Sequence, residues 1–404
     1  MKRRSGREWA ARTALAALVV VLGYSSVAHS LAQALVRTNT ARAHRLAPHD
    51  GRITARLAAS LIEGSPSAAD FQRADAVAQE ALKQDPTAVT AVATRGFAAG
   101  VRGDIAQARR WFAYAQTLSR RELRTQLWGI EDAVRRGDIA GALRHYDIAL
   151  RTNSSSWALL FPILASATAD PSIRVELART LSSRPNWGND FVSYLAGNST
   201  DPRSTAQLFM QLRGTGVSVP DTARAAIING LIGDGKAEDA WHYYASEHAG
   251  ADRRMSRDPR FANNSNVVSL LDWNLVNDAG PTASIQAGDT GGMFSFAAPA
   301  GVGGTLLRQL QLLPSGIYQI RGHSSGIDQE EQARPYWVLR CRQTEQELGR
   351  VVMPNSDQGN GRFAGTFTVP AGCQVQTLEF VARASDAVGG ATGEIDWVEL
   401  RPAR

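Results

Sequence analysis

The feature that most constrains this chain is a set of residues that recurs 34 positions apart. Gly103-Asp104-Ile105 recurs as Gly137-Asp138-Ile139. The residues after each turn recur at the same offset as three pairs, Ala108 and Ala142, Phe112 and Tyr146, and Ala115 and Ala149. A 34-residue period is typical of solenoids built from pairs of antiparallel helices. Three repeats are therefore predicted, over residues 55–88, 89–122 and 123–156.

The order of these residues resembles the tetratricopeptide repeat family. The shared pattern is a Gly-Asp turn, an alanine, an aromatic residue and a second alanine. The pattern weakens after residue 156 and returns at 221–249, so an α-solenoid of helix pairs is predicted over 42–255. The resemblance implies a concave face, lined by the first helix of each pair, that takes up a protein partner. The candidate lining residues are Arg95, Arg102, Gln126 and Asp132; the alternative is that they are ordinary solvated positions.

The N-terminus combines a basic tail, residues 1–12, with a stretch from 13 to 36 that lacks Asp, Glu, Lys and Arg. A helix of this length exceeds the roughly 30 Å hydrocarbon core of a bilayer. An uncleaved signal anchor is favoured because the apolar pattern continues past Ala28-His29-Ser30, the site of a possible signal-peptide cleavage. The positive-inside rule then predicts a single-pass protein of a bacterial inner membrane, with its bulk in the periplasm. Cleavage would give a secreted protein instead.

The distribution of charge argues against a nucleic-acid partner. The net charge is +6, but residues 1–45 carry eight Lys or Arg against one Glu, and residues 261–404 carry ten against fourteen acidic residues. The positive excess therefore lies mainly beside the apolar stretch, and no basic stripe crosses the folded part.

Composition changes after residue 255, where a linker is predicted over 256–266 and a β-sandwich module over 267–404. Short apolar runs alternate there with Gly, Pro and Asn turns, which is typical of an antiparallel sandwich. The predicted strands are 293–297, 305–313, 316–322, 335–342, 347–353, 362–369, 374–382 and 394–401. The segments 271–275 and 393–400 resemble those of the jelly rolls in carbohydrate-binding modules. The whole chain is thus predicted to be a multidomain α and β protein.

That resemblance directs attention to the aromatic residues of the module, because sugar rings stack on exposed aromatic faces. The candidate glycan-stacking residues are Trp273, Tyr336, Trp337 and Trp397, and the alternative is that they form the sandwich core. Similar modules also hold a structural calcium ion, for which Asp357 or Asn355 are candidate ligands. No other metal or cofactor is expected.

Cys341 and Cys373 are the only two cysteines. Outside the cytoplasm they can form a disulfide, worth about 3–4 kcal/mol in the loop-entropy model. Free buried thiols are the alternative.

No complete catalytic motif is present. Gly322-His323-Ser324-Ser325-Gly326 matches the G-x-S-x-G nucleophile elbow, but no histidine follows His323 to complete a triad, so a β-turn is predicted. The favoured hypothesis is a non-enzymatic, membrane-anchored scaffold that contacts a protein through the solenoid and glycan or another subunit through the sandwich. The resemblance links such proteins to exopolysaccharide or envelope assembly. The alternative is a glycan-acting enzyme with its site at the junction of the two domains, which clustered carboxylates with perturbed pKa values would favour.

Overall fold

The computed structural model describes residues 6–263, 267–277, 280–286 and 291–403. The first five residues of the predicted basic tail and residues 264–266 of the predicted linker lie outside this part. The chain divides into two compact units, Met1–Leu160 and Phe161–Arg404. The helices of the first unit are α1 (Gly6–Leu35), α2 (Thr40–Leu46), α3 (Gly51–Ser60), α4 (Ala68–Gln84), α5 (Val89–Val101), α6 (Ile105–Leu118), α7 (Leu123–Arg135) and α8 (Ile139–Thr152).

The predicted repeats are the helix pairs α3–α4, α5–α6 and α7–α8. Gly103 and Gly137 follow the first helix of the second and third pairs with φ of 81° and 69°, a left-handed conformation that favours glycine. The aspartate after each glycine caps the next helix. Asp104 Oδ1 accepts a hydrogen bond from Gln107 N at 2.9 Å, and Asp138 Oδ1 accepts one from Gly141 N at 2.8 Å. The 34-residue period thus arises from turn chemistry as well as from packing.

Small and aromatic residues pack these pairs together. Phe112 is buried and stacks on Trp128, with the ring centroids 4.3 Å apart. The ring lies so close to α5 that a Cβ at Gly96 would stand 2.7 Å from Phe112 Cε2. The equivalent alanines, such as Ala108 and Ala142, are also buried. Small residues at these positions therefore allow the helices to approach closely.

Helix α1 differs from the others because its apolar side chains are exposed. The segment Trp9–Leu35 is, among the described residues, the one helix long and apolar enough to cross a membrane, and a signal sequence would meet the same criteria. Its last turns nevertheless belong to the folded unit, since Ala32 is completely buried against Ala43 of α2 and Ile53 of α3.

Helices continue beyond the clear repeats. Helix α9 (Trp157–Ala167) contains the division between the units. The further helices of the second unit are α10 (Pro171–Ser182), α11 (Gly188–Asn198), α12 (Pro202–Leu212), α13 (Asp221–Gly233) and α14 (Ala237–Glu247). Gly235, with φ of 72°, forms the turn between α13 and α14, as the spacing of the last repeat predicts.

The remainder of the second unit is a sandwich of two antiparallel five-stranded sheets. Its strands are β1 (Asn274–Leu275), β2 (Thr282–Gln286), β3 (Met293–Ala298), β4 (Gly304–Gln311), β5 (Gly316–Ser325), β6 (Tyr336–Cys341), β7 (Glu347–Val352), β8 (Arg362–Val369), β9 (Gln376–Ala382) and β10 (Ala391–Pro402). Sheet A has the order β1-β4-β9-β6-β7, and sheet B has the order β2-β3-β10-β5-β8. All eight predicted strands are present, and β1 and β2 are additional.

The two sheets enclose an apolar core that includes Phe294, Trp337 and Phe380. The predicted disulfide joins Cys341, at the end of β6, to Cys373, just before β9, with the Cα atoms 5.8 Å apart. It therefore links two neighbouring strands of sheet A, next to the turn that follows β6.

Residues 256–263 are not a free linker, which corrects that part of the predicted domain division. Ser256 N donates to Leu400 O at 2.9 Å, and Val398 N donates to Pro259 O at 2.8 Å, so the segment pairs with β10. The Arg257 guanidinium is buried and donates to Leu271 O at 2.8 Å and to Gln311 Oε1 at 3.0 Å. Burial lowers the pKa of Arg257 to about 10. This segment joins the last helix to the sandwich within one compact unit.

Candidate functional site

Two of the four aromatic candidates for glycan stacking lie in the sandwich core. Trp273 is 5% exposed and Trp337 is 0% exposed. Trp273 donates its indole N–H to Asp258 O at 2.9 Å. A sugar ring must reach the face of an aromatic ring to stack on it, so the prediction is corrected for these two residues. Adjacent strand residues point to opposite faces, and on β6 it is Trp337 that points inward.

The third candidate, Tyr336, is half-buried on the outer face of sheet A. The guanidinium carbon of Arg350 lies 4.2 Å from its ring centroid, and that of Arg383 lies 5.0 Å from it. Cation–π contacts of this kind are favourable. The ring is therefore already engaged by cations of the chain itself.

The fourth candidate, Trp397, lies on the outer face of sheet B because of an irregularity in β10. The register of β10 against β5 shifts between Ile395 and Trp397, which is a β-bulge. Ile395 and Val398 point into the core, so Asp396 and Trp397 both lie on the outer side. Bulges often redirect side chains beside functional sites.

Polar and charged side chains surround this tryptophan. We call the surface formed by Arg321, His323, Asp396, Trp397 and Glu399 the Trp397 face. Arg321 Nε donates to Glu399 Oε2 at 2.8 Å, and its guanidinium carbon lies 5.6 Å from the Trp397 ring centroid. His323 Nδ1 lies 2.9 Å from Asp396 Oδ1. The Trp397 ring is half-buried, so part of it reaches solvent. An apolar ring among several donors and acceptors is suited to a polyhydroxylated ligand.

The same face lacks the arrangement that nucleophilic catalysis needs. The sequence predicted a β-turn at Ser324. The structure instead buries Ser324 within β5, where its hydroxyl donates to Gly361 O at 3.3 Å. Ser325 donates to Glu394 Oε2 at 3.3 Å. Both neighbouring hydroxyls thus donate to acceptors other than the His323 imidazole. A nucleophile must lie within hydrogen-bond reach of its base.

Carboxyl groups at the junction of the last helix and the sandwich are committed to structural hydrogen bonds. Asp272 accepts from the Tyr244 hydroxyl at 2.8 Å and from Ser269 N at 2.9 Å. Asp258 accepts from two backbone N–H groups, those of Ala262 and Asn263. In the described part of the chain, Glu379 is the one carboxyl whose pKa is raised, chiefly by burial, and it lies on sheet A rather than at this junction.

The four solenoid candidates bind neighbouring helices. Gln126 is fully buried, and its Oε1 lies 2.8 Å from His145 Nδ1. Asp132 is buried and binds Arg109 at 3.0 Å. Burial opposes ionisation, but Arg109 and Arg136 hold the pKa of Asp132 below its ordinary value. The prediction that an open concave face includes Gln126 and Asp132 is therefore corrected.

Arg95 and Arg102 stay partly accessible, but both bind Asp75 of the preceding repeat, at 2.9 and 3.2 Å.

Sequence reasoning missed an open groove elsewhere in the first unit. It has a volume of about 590 Å³, and its polar lining residues are Arg52, Arg56, Thr87, Thr90, Thr117 and Ser119. These residues come from three different helices and two loops, so they give no local sequence signal.

The calcium candidates lie in the loop before β8. Asn355 Oδ1 accepts from Gln329 N at 3.0 Å, and Asp357 immediately precedes a short 3₁₀ turn. Across the described ranges, no group of three or more His, Cys, Asp or Glu side chains is placed to share a metal ion.

Comparisons with known proteins give only distant likenesses. No family model and no curated protein matches this chain. A xylan-binding domain, CBM22-1 of Paenibacillus barcinonensis Xyn10C, is 12% identical over 39% of this chain and 98% of that chain, with a TM-score of 0.26. Pseudomonas aeruginosa pilF is 15% identical over 57% of this chain and 94% of that chain, with a TM-score of 0.28.

A third solved structure is the enzymatically active domain of tailspike protein 4 from bacteriophage CBA120. It is 13% identical, and the match covers 36% of this chain but only 20% of that chain, with a TM-score of 0.25. All three TM-scores are below 0.5, so no conclusion about ligand or activity follows from them.

Proposed function

We propose that this protein is a non-enzymatic scaffold whose β-sandwich binds a saccharide at the Trp397 face. The bulge that brings both Asp396 and Trp397 to the outer side of β10 carries the proposal. It places one partly exposed indole among a guanidinium, an imidazole and two carboxylates. Sugar rings present apolar C–H surface for the indole and hydroxyls for the polar groups.

The non-enzymatic part of the proposal is supported by how the reactive side chains are used. The serine hydroxyls near His323 donate to other acceptors. The junction aspartates accept structural hydrogen bonds. A glycosidase requires two carboxyl groups flanking one bond, with the pKa of the acid raised. Within the described ranges, the carboxyl group whose pKa burial raises is that of Glu379, and it lies instead beside Arg340, at 3.3 Å.

The helical part would hold a protein partner, for which the 590 Å³ groove of the first unit offers a polar and basic lining. An extended segment with acidic side chains suits Arg52 and Arg56 in that lining.

Helix α1 would remain as a single-pass anchor of the inner membrane, with the helix pairs and the sandwich on the periplasmic side. A role in exopolysaccharide or envelope assembly stays a prediction.

The test of saccharide binding uses the full chain in detergent micelles on a glycan array, followed by calorimetry with the best neutral oligosaccharide. Trp397→Ala should weaken binding by about 1–3 kcal/mol, by analogy with base–aromatic stacking. Tyr336→Ala, an aromatic truncation on the opposite sheet, is the matched control and should leave the affinity unchanged. Equal losses in both variants, or an array with no bound glycan, would contradict the proposed face.

A hydrolase panel with the same preparation tests the non-enzymatic part. No turnover is expected with any glycan that the array identifies. Turnover that disappears in Ser324→Ala would show that the buried serine becomes a nucleophile, and the scaffold proposal would then be wrong.

A further inference from the structure

A groove on the outer face of sheet A, across the sandwich from the Trp397 face, is lined by an unusual share of the module's cations. The groove has a volume of about 350 Å³. Its charged lining residues are Arg308, Arg340, Arg342, Glu345 and Glu379. Residues 261–404 contain ten arginines and no lysine, against fourteen acidic residues. Three of the ten arginines therefore meet in one groove of a module that is negative overall.

Strand order brings these arginines together. Arg308 on β4 lies directly opposite Glu379 on β9, and β9 also pairs with β6, which carries Arg340. Arg342 follows β6, where its N–H donates to Val375 O at 2.9 Å. The Cys341–Cys373 disulfide joins the two chain segments at this end of the groove. The position of Arg342 is thus held by both a covalent and a backbone link.

The pairing of the charges leaves cationic groups available. Arg340 Nε donates to Glu379 Oε2 at 3.3 Å, and Arg340 also lies 3.9 Å from Glu347. No ion pair joins Arg308 or Arg342 to a carboxylate in the described part of the chain, and both side chains are exposed at the groove. Two free guanidinium groups on the same sheet face offer planar, bidentate donors for an oxyanion.

We infer that this groove binds the anionic substituent of an acidic saccharide, a carboxylate or a sulfate ester, through Arg308 and Arg342. The inference rests on the proposed saccharide-binding function and adds a second site of distinct chemistry. Thr377 and Asn274 also line the groove and are able to contact hydroxyls of the same sugar. Asn274 uses its Nδ2 for Ser269 O and Asp272 O, which leaves its side-chain oxygen as an acceptor.

The test is calorimetry on the full chain in detergent with three oligosaccharides of equal length: an oligogalacturonate, a sulfated galactan and a neutral galactan. We expect at least one acidic oligosaccharide to bind more tightly than the neutral one, with an affinity that falls as salt rises. The Arg308→Gln/Arg342→Gln double variant should lose at least tenfold of that affinity. Arg260→Gln, an exposed arginine outside the groove, is the matched control and should lose none. Comparison of the oligogalacturonate with the sulfated galactan shows whether the groove binds a carboxylate or a sulfate ester.

Two further variants separate this inference from the function on which it rests. Trp397→Ala should weaken the binding of the neutral glycan and leave the affinity of the groove for the acidic oligosaccharide unchanged. Glu379→Gln removes a negative charge from the groove and should tighten acidic binding severalfold, a gain that a merely structural role would not give. The inference is overturned if neither acidic oligosaccharide binds, or if the double variant and wild type bind them equally.

Discussion

Glu379 and Glu347 carry carboxyl groups on the same face of sheet A, and their surroundings shift the two pKa values in opposite directions. Burial raises the pKa of Glu379, although Arg340 works against the shift. The hydrogen bond from Arg350 lowers the pKa of Glu347. The other charged groups that act on Glu379 are Arg308 and Glu345. Two glutamates of the same sheet, on β9 and β7, thus provide an internal comparison.

The sign of each shift fixes how stability depends on pH. A carboxyl with a raised folded pKa binds its proton more tightly in the folded state, so its stabilising contribution is present at low pH and lost as pH rises through that pKa. Glu379→Gln mimics the protonated form at every pH. Relative to wild type, this variant should therefore gain in unfolding free energy between pH 4 and pH 7, measured by urea unfolding.

Glu347→Gln is the matched comparison with the opposite sign. Its lowered pKa gives a contribution that is present at neutral pH and lost as pH falls, so this variant should lose stability relative to wild type between pH 4 and pH 7. If both variants lost stability, the ion pair with Arg340 rather than burial would dominate at Glu379.

At the scale of elements, contact between the two helices of the second pair depends on glycine at one position of α5, whereas another position of α5 tolerates alanine. A Cβ at Gly96 would lie 2.7 Å from Phe112, whereas a Cβ at Gly100, one turn later on α5, would find its nearest atom at 3.9 Å. Gly96→Ala should cost about 1–3 kcal/mol through overpacking. Gly100→Ala should be neutral or stabilise by up to about 1 kcal/mol, because alanine is the better helix former. Urea unfolding followed by circular dichroism compares them, and equal effects would mean that α5 shifts to accommodate the methyl group.

The ion pairs that join α4 to α5 have a counterpart between α6 and α7 in which the charges are exchanged. Asp75 of α4 binds Arg95 and Arg102 of α5, whereas Arg109, 34 positions after Asp75, binds Asp132 of α7. The sequence predicted that Arg95, Arg102 and Asp132 line a binding face. The sequence could not reveal that these residues form ion pairs with one another's helices, because each partner lies 20 to 27 residues away on a different helix.

Elements with a strong periodic signal were predictable, and those without one were not. The turns at Gly103 and Gly137 and eight strands follow from local composition and alternation. Strand β2 was missed because Thr282–Gln286 is short and only two of its residues, Ala283 and Ile285, are apolar, so its alternation is a weak signal. The four aromatics were visible in the sequence, but their exposure depends on which face of each strand meets the core and on the bulge at Asp396. The arginine groove depends on the pairing of β4, β9 and β6, which are not neighbours along the chain.

At the scale of the whole molecule, the question is whether α1 remains attached to the mature protein. The helix runs without interruption through Ala28-His29-Ser30 to Leu35, and its last turns pack into the first unit. Ala28 is 6% exposed and Ala32 is 0% exposed. Gln33 Nε2 donates at 3.3 Å to Asp50, the residue that caps α3. Cleavage after Ser30 would remove the buried Ala28 and place a new charged amino group on Leu31, directly before Ala32.

We therefore predict that α1 is retained as an anchor. Intact-mass measurement on protein extracted from membranes should give the mass of residues 1–404, with or without the first methionine. A matched variant, Ala32→Asp, should lower the unfolding temperature of the detergent-solubilised protein, because it buries an unpaired carboxylate between α2 and α3. Leu31→Asp, at an exposed position on the same turn, should leave the unfolding temperature nearly unchanged. A mature N-terminus near Leu31 would show that α1 is a cleaved signal sequence, and the protein would then act without a membrane anchor.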